Sequence, residues 1–424
     1  MVLPEEVAAR ILAESVRRRS SLRGVAVEFF SARPSLDYMK PIVRVLTLGV
    51  ARNYMLLDHI LLSLGYGPPS HATRWMLARV LVFEAINGKI KPSRARLAAP
   101  KAGLDADKIL ELRGAKPREF VKGLSSIDRL SVLYSFPRWI VEELMEAGIP
   151  SLSKLLEALN KDPIRWIRVR PGVDAGRLAE KLREHGVVIK PDKDLPDVAM
   201  IIEGASRATR TPEYQEGLYV LQDKASALVS WVLSPRSMSV VADPTAGAAV
   251  KTSHSVWLGA RYAVAGDLKP ARLGEAFRLL NRLKLRHRAD IVVGDARRLY
   301  LRRFDGLIVD PPCTDIGRLQ YEPEVKMWLT RGDAKYFRRL QLRMLQEAVD
   351  TAPPGARIVY SVCTLTYSET IWVIRRLIET RPEVDLVEQT PFIGEKPRKL
   401  PMTQRTLPHL HKTQGFFIAL TTKR

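Results

Sequence analysis

Apolar side chains recur at helical spacing through the first part of the chain: Val7, Ile11 and Leu12, then Ile42, Val45, Leu46 and Val50. The stripe continues through Leu56, Ile60, Leu61 and Leu64 and returns over 75–86. One apolar face per helix is what a bundle requires, so residues 1–125 are predicted to be all-helical. Gly65-Tyr-Gly-Pro-Pro69 and Asn87-Gly88 supply the breaks. Over 126–210 the pattern is mixed, with helices expected at 137–146, 151–159 and 174–185 and strands at 164–169, 187–189 and 199–202. That combination predicts a small α+β domain. From 211 onward, short apolar strands (240–242, 262–265, 289–293, 306–309, 357–361, 416–420) alternate with amphipathic helices (251–258, 270–283, 338–351, 368–381). This alternation predicts a mostly parallel sheet covered by helices on both faces. Such sheets bind ligands beyond the carboxyl ends of their strands, so the chemistry is to be sought directly after each strand.

A chain of 424 residues exceeds one ordinary core, which agrees with two or three domains. Lys and Arg number 68 against 46 Asp and Glu, a net charge of +22. A surplus of that sign draws a protein to polyanions, nucleic acid first among them. A hot habitat also multiplies charged residues, and the four Asn and eight Gln agree with one. Ion-pair networks balance their signs, however, and this chain does not. Two basic clusters, Arg17, Arg18 and Arg19 and then Lys89, Lys91, Arg94 and Arg96, are either an RNA-facing surface or a solvated face. No apolar run approaches the length of a membrane span and the N-terminus shows no signal-peptide core, so a cytoplasmic protein is expected. The two cysteines, Cys313 and Cys363, form neither a disulfide framework nor a zinc set. The seven histidines are scattered, with His409 and His411 on an expected final loop, so no metal is expected.

The first strand of the C-terminal half runs into Asp243-Pro-Thr-Ala-Gly-Ala-Ala-Val-Lys251-Thr252. A turn of small residues opening a helix lets backbone N–H groups approach a ligand, although plain strand–helix packing favours small residues too. The second strand ends at Gly266-Asp267, where a carboxylate is placed to meet ribose hydroxyls. The third ends at Gly294-Asp295-Ala296-Arg297. Three strand-end carboxylates suit a nucleoside cofactor, with neither the glycine fingerprint of dinucleotide enzymes nor a P-loop present. The fourth strand ends at Asp310-Pro-Pro-Cys313 and the fifth at Ser361-Val-Cys363-Thr364, so both cysteines fall at one sheet edge. A lone cysteine is usually a small buried hydrophobe, whereas two at one edge point to thiolate chemistry. Carbon 5 of cytosine is a target that needs it. A thiolate adding to C6 turns C5 into an enamine carbon able to take a methyl group from a sulfonium donor, and a second group must then release the C5 proton. Asp310 is placed to bind or protonate the ring at N3 and N4.

Taken together, these residues resemble the RNA cytosine-5 methyltransferases of the RsmB (Fmu/Sun) and NSUN group. Asp310-Pro-Pro-Cys313-Thr-Asp-Ile-Gly317 is similar to the family's D-A-P-C-S-x-x-G, and Pro323 and Trp328 follow as its P-x-x-x-x-W does. Tyr360-Ser-Val-Cys363-Thr-Leu-Thr-Tyr-Ser-Glu369 is similar to the nucleophile segment. Gln222-Asp223-Lys-Ala-Ser226 resembles the entry into the catalytic domain, and Arg405, Pro408, His409 and Gly415-Phe416-Phe417 resemble its last strand. Leu48-Gly49-Val50 with Leu56-Leu57-Asp58 is similar to the NusB-like RNA-binding domain of the RsmB branch. Pro137-Arg-Trp139 and Trp166-Ile-Arg-Val169 are similar to that branch's linker domain. The resemblance implies three domains: a NusB-like all-α bundle over 1–125, a small α+β linker domain over 126–210, and an α/β Rossmann-like class I methyltransferase domain over 211–424. It implies S-adenosyl-L-methionine as cofactor and RNA as partner, small-subunit rRNA being favoured over tRNA. Cys363 becomes the nucleophile, Cys313 the residue of product release, and Asp310 and Lys251 the groups that engage the base. The cofactor would be held by Thr245, Ala246, Gly247, Ala248, Ala249, Val250 and Lys251, by Asp267 on the ribose, by Asp295 on the adenine side, and by Arg272 and Asp310.

One departure stands out. The family's loop is C-A-A-P-G-G-K-T, and here Ala249 and Val250 replace both glycines. Glycine permits a positive φ or a close backbone approach, so a different turn or weaker cofactor binding is expected. The altered loop favours a rival reading, an inactive RNA-binding or ribosome-assembly factor, while Lys251 and both cysteines oppose it. An amino-group methyltransferase is a second rival, since Asp310-Pro-Pro is similar to N/D-P-P-aromatic. That motif needs an aromatic where Cys313 stands and leaves Cys363 without a task.

Overall fold

The computed structural model describes residues 2–68, 71–299, 301 and 303–424; Pro69, the last residue of the first expected break, lies outside them. The chain divides into two compact units. One comprises Met1–Met145, Ser151–Lys161 and Arg318–Arg331, and the other Glu146–Pro150, Asp162–Gly317 and Gly332–Arg424.

The first unit is helical. Its helices Pro4–Arg18, Lys40–Ser63 and Ala72–Ile86 bury Val7, Ile11, Leu12, Leu46, Val50, Ile60, Leu61, Val80 and Leu81, whereas Ile42 and Val45 of the same expected stripe are exposed. The two stripes at 42–50 and 56–64 lie mostly on one helix. With the preceding 3-10 turn it makes 30 helical residues, Pro34–Ser63, long and apolar enough by composition to cross a membrane. This corrects the expectation that no segment reaches that length. Charged residues such as Arg44, Arg52 and Asp58 interrupt the apolar run but not the helix. Half of its most apolar window is buried, as in the core helix of a bundle. The basic clusters are partly engaged in ion pairs: Arg17 with Glu14, Arg18 with Glu28, and Arg94 with the fully buried Glu5. The first two, at the surface, contribute little individually.

Helices Ser126–Tyr134, Arg138–Glu146 and Leu152–Leu159 pack with this bundle rather than with the strands that follow them. The Ser135 hydroxyl accepts hydrogen bonds from the backbone N–H groups of Met55 and Leu56, each at 3.2 Å. Segment Arg318–Arg331 is threaded into the same unit. The buried Lys326 ammonium donates to Asn160 Oδ1 at 2.8 Å and to the Arg52 and Tyr134 carbonyls. Glu324 accepts from the Leu22 N–H at 2.8 Å.

The second unit carries two sheets. In the small one, β1 (Arg165–Val169), β2 (Val188–Pro191), β3 (Val198–Glu203) and β4 (Tyr219–Leu221) pair antiparallel in the order β2-β3-β1-β4. Helix Ala175–Glu184, capped by the Asp174 side chain, buries Leu178 and Leu182, which pack in one cluster with Ile167, Val187 and Tyr219. The sheet takes its fourth strand from beyond residue 211, three residues that periodicity did not reveal.

In the large sheet, β5 (Val240–Asp243), β6 (Tyr262–Asp267), β7 (Ala289–Val293), β8 (Gly306–Val309) and β9 (Arg357–Val362) are mutually parallel. β10 (Val384–Val387), β11 (Gln404–Thr406) and β12 (Phe416–Lys423) complete it, β12 running antiparallel to β9. The order is β10-β12-β9-β8-β5-β6-β7, with β11 on β12. β8 is buried at every position, so it reads as a continuous apolar run, as a parallel strand covered on both faces must. β11 escaped the sequence reading because its buried residues are polar: Arg405 donates to the Ala147 and Gly148 carbonyls at 2.6 and 2.8 Å. Pro408–His411 is a short helix, not the expected loop, and Arg405 and Pro408 precede the last strand rather than belong to it.

Candidate active site at the carboxyl edge of the sheet

β5 ends at Asp243, whose buried carboxyl accepts from the Thr252 hydroxyl at 2.7 Å. Burial pushes that carboxyl up to about 7. The loop beyond it turns through positive φ at Gly247 (55°) and at Ala249 (58°), the residue before helix Val250–Trp257. The backbone thus places a left-handed residue at Ala249, one of the two positions where the family has glycine, and it does so with a fully buried Cβ-bearing residue. Left-handed geometry costs a non-glycine residue roughly 1–2 kcal/mol.

The Asp267 carboxylate at the end of β6 is tied to this loop. It accepts from the Gly247 N–H at 3.2 Å and from the Lys269 N–H at 2.8 Å, and Arg272 lies 3.8 Å away. Asp295, beyond β7, forms an ion pair with Arg297 at 2.6 Å, and the Arg297 hydrogen bond holds its carboxyl below the ordinary value. Gly247, Asp267 and Arg272 therefore stand together. Asp295 bonds its own loop.

Helix Val250–Trp257 brings Lys251 to the β8 loop, where its ammonium lies 2.5 Å from Asp310 Oδ2. Burial works against that charge, but Asp310, then Asp243 and Cys363, outweigh it and hold Lys251 above its ordinary value. Asp310 Oδ1 accepts from the Ser361 hydroxyl at 2.9 Å, and the Asp310 N–H donates to Thr245 Oγ1 at 2.8 Å. Asp310, through its carboxylate and its backbone N–H, thereby ties the β5, β8 and β9 ends together.

Cys313 and Cys363, fifty positions apart in the chain, come within 3.2 Å, sulfur to sulfur. Cys313 is buried and Cys363 half-buried. The hydrogen bond with Cys363, backed by burial, pushes the Cys313 thiol well above its ordinary value. Their loops are locked by two glycines. The Gly317 N–H donates to the Cys363 carbonyl at 3.0 Å and the Gly415 N–H to the Gly317 carbonyl at 2.9 Å. A Cβ on Gly317 would stand 1.8 Å from the Gly415 oxygen and 2.9 Å from the Cys363 oxygen, so only glycine fits. Beneath them, buried Glu369 accepts from the Thr314 N–H and from Gln341 at 3.0 Å each, and from the Thr366 hydroxyl at 3.0 Å.

Sequence reasoning overlooked Asp315. Its carboxylate accepts from the Cys363 thiol at 2.8 Å and lies 3.8 Å from Cys313. The only available signal was its place inside the quoted D-P-P-C-T-D-I-G segment. The two thiols and this carboxylate offer three ligand-type atoms within 4.8 Å of one another, a cluster that no sequence spacing announces.

A parallel-centred sheet with an acid at each of several strand ends and paired thiols on adjacent loops defines a class I methyltransferase domain. The family model for the 16S rRNA methyltransferase RsmB/F matches residues 230–422. The chain is 27% identical over 406 residues to Ribosomal RNA small subunit methyltransferase B of Escherichia coli O6:K15:H31, covering 92% of this chain and 91% of that protein. The solved structure of PH0851 superposes with a TM-score of 0.78 at 22% identity, over 100% of this chain and 99% of that one. A methyltransferase homologue from Pyrococcus horikoshii gives 0.62 at 24% identity, over 71% of this chain and 100% of its own. The chain is an RNA methyltransferase, similar to the RsmB/F family over residues 230–422.

Proposed function

We propose that this enzyme transfers a methyl group from S-adenosyl-L-methionine to C5 of a cytosine in RNA, small-subunit rRNA in particular, through a covalent bond between Cys363 and C6. The observation that carries the reading is the meeting of both thiols, 3.2 Å apart, on adjacent strand-end loops beside the Lys251–Asp310 pair. Neither rival chemistry needs that arrangement. The name of the Escherichia coli relative supports the choice of ribosomal RNA, and the +22 charge supports a polyanionic partner. The helical unit and the small sheet are assigned to RNA binding.

The loop fits the cofactor. The Ala249 turn retains the left-handed backbone that the family's glycine would supply, and Asp267 stands on that loop, placed for ribose hydroxyls. Residues 245–250 with Asp267, Arg272 and Asp295 would hold it, and it supplies an electrophilic methyl group on a sulfonium. The protein's own work is on the base. Cys363 adds to C6 and makes C5 nucleophilic. Asp310, oriented by Lys251 and Ser361, meets the N3/N4 edge. The region of Cys313 serves the departure of the C5 proton, so that Cys363 can leave. A cytosine reaching this edge must be unstacked, as in a loop or a locally opened helix.

The test is methylation of RNA from reconstitution-grade small subunits and of tRNA with labelled S-adenosylmethionine, comparing wild type, Cys363→Ala and Cys313→Ala. Label at cytosine C5 of rRNA, lost in Cys363→Ala and trapped as a protein–RNA adduct in Cys313→Ala, sustains the reading. Label on tRNA alone moves the substrate, and no label with no cofactor binding favours the inactive assembly factor.

A further inference from the structure

Resting on the cytosine-5 reading, we infer that Asp315 is the catalytic proton acceptor for the Cys363 thiol. A nucleophilic cysteine reacts as its thiolate, so its proton must go somewhere when the ring arrives. Asp315 Oδ1 lies 2.8 Å from Cys363 Sγ and already accepts its S–H hydrogen bond. Cys313, the other neighbour at 3.2 Å, is held in its protonated form by that hydrogen bond and by burial, and cannot accept. Asp310 is occupied on both oxygens by Lys251 and Ser361. The position is also built: Asp315 takes φ 57°, a left-handed geometry that Asp tolerates better than most residues, and Gly317 two residues on fixes the loop to the Cys363 carbonyl.

The S–H bond breaks and its proton passes to Asp315 Oδ1. The pair left on sulfur forms the Sγ–C6 bond. The C5–C6 π pair moves to C4–C5 and the C4–N3 pair moves onto N3, which takes a proton from the Lys251–Asp310 pair. Holding a carboxylate against the thiol also discourages the free thiolate, because like charges oppose each other. Deprotonation is thereby tied to arrival of the base.

The two effects have opposite signs, which makes the role separable from a structural one. Asp315→Asn keeps an acceptor for the S–H and suits a positive φ, and Asp315→Gly suits that φ without any side chain. Neither can take a proton. Two rates are measured at neutral pH: formation of the covalent adduct with small-subunit rRNA transcribed with 5-fluorocytidine, in the presence of S-adenosylmethionine, and alkylation of the Cys363 peptide by iodoacetamide, read by mass spectrometry. Both variants are expected to slow adduct formation by roughly 10²-fold or more, the usual size of a proton-transfer contribution, while alkylation of Cys363 speeds up. Adduct formation at the wild-type rate in Asp315→Asn overturns the inference, as does a parallel fall of both rates. A wild type that forms no adduct defeats the cytosine-5 reading itself, and the proton-acceptor role falls with it.

Discussion

Both units of this protein bury ionisable groups, and they do so to different ends. In the helical unit, Lys326 is sealed among two backbone carbonyls, Asn160 and the Phe136 ring, and burial holds its ammonium well below the ordinary value. Burial likewise raises Glu84 and Glu324 to about 7. Glu324 and Lys326 lie in the connection after β8, but on the part of it that packs into the helical unit. In the sheet unit, Lys251 stands on the helix after β5, Asp310, Asp315 and Cys363 sit on the loops after β8 and β9, and Cys363 and Asp310 keep some exposure. A perturbed acid or base is therefore no mark of an active site by itself. What separates the two sets is position: one is enclosed by helices, and the other stands at the edge where such a sheet binds ligands.

The sharpest test of that contrast is a pair of substitutions. Cys363→Ala should abolish methyl transfer, by roughly 10⁴-fold or more since the nucleophile is gone, while the thermal midpoint barely moves. Lys326→Ala should cost about 2–3 kcal/mol of stability by leaving buried carbonyl oxygens without their donor, measured by denaturant unfolding. If the cysteine variant unfolds easily or the lysine variant keeps full stability, the division between chemical and structural burial is broken.

Glu369 lies at the border of the two roles. Removing it in Glu369→Ala leaves the Thr314 N–H, Gln341 and Thr366 without their acceptor. A loss of about 3 kcal/mol is expected, with slower methyl transfer because Thr314 adjoins Cys313. Full activity at reduced stability would make it purely structural.

The pH dependence sharpens the helical side. Glu324 is raised from an ordinary 4.5 to about 7, so between those values the folded chain holds a proton that the unfolded chain has shed. Stability from this group is greatest below pH 4.5, falls as pH rises towards 7, and is flat above. The change amounts to about 3 kcal/mol over that window, and Glu324→Gln should remove it from a series of unfolding curves. An unchanged slope would deny that this burial is felt.

The smallest effect is expected at the cofactor loop. Ala249→Gly should relieve left-handed strain and add about 1 kcal/mol, with S-adenosylmethionine affinity equal or higher by calorimetry. A loss of stability would mean that the alanine methyl packs well enough to offset its φ.

Several features were legible in the residues alone. The six apolar strands of the C-terminal half, the helices between them and the stripes of the bundle follow from periodicity, because burial on one face or two imposes a pattern on any chain. The strand-end acids and both cysteines could be placed at one edge, because parallel order fixes which strand ends share a side. Other features had no local trace. β4 and β11 are three residues each, and β11 is polar, so neither carries a period. The threading of Arg318–Arg331 into the helical unit depends on a buried lysine that any solvated charge would resemble in sequence. The persistence of a left-handed Ala249 where the family has glycine is a property of the folded loop. That Asp315 stands 2.8 Å from Cys363 across 48 residues of chain was decided only when Gly317 and Gly415 closed backbone on backbone, since distance between remote residues is set by packing and not by spacing.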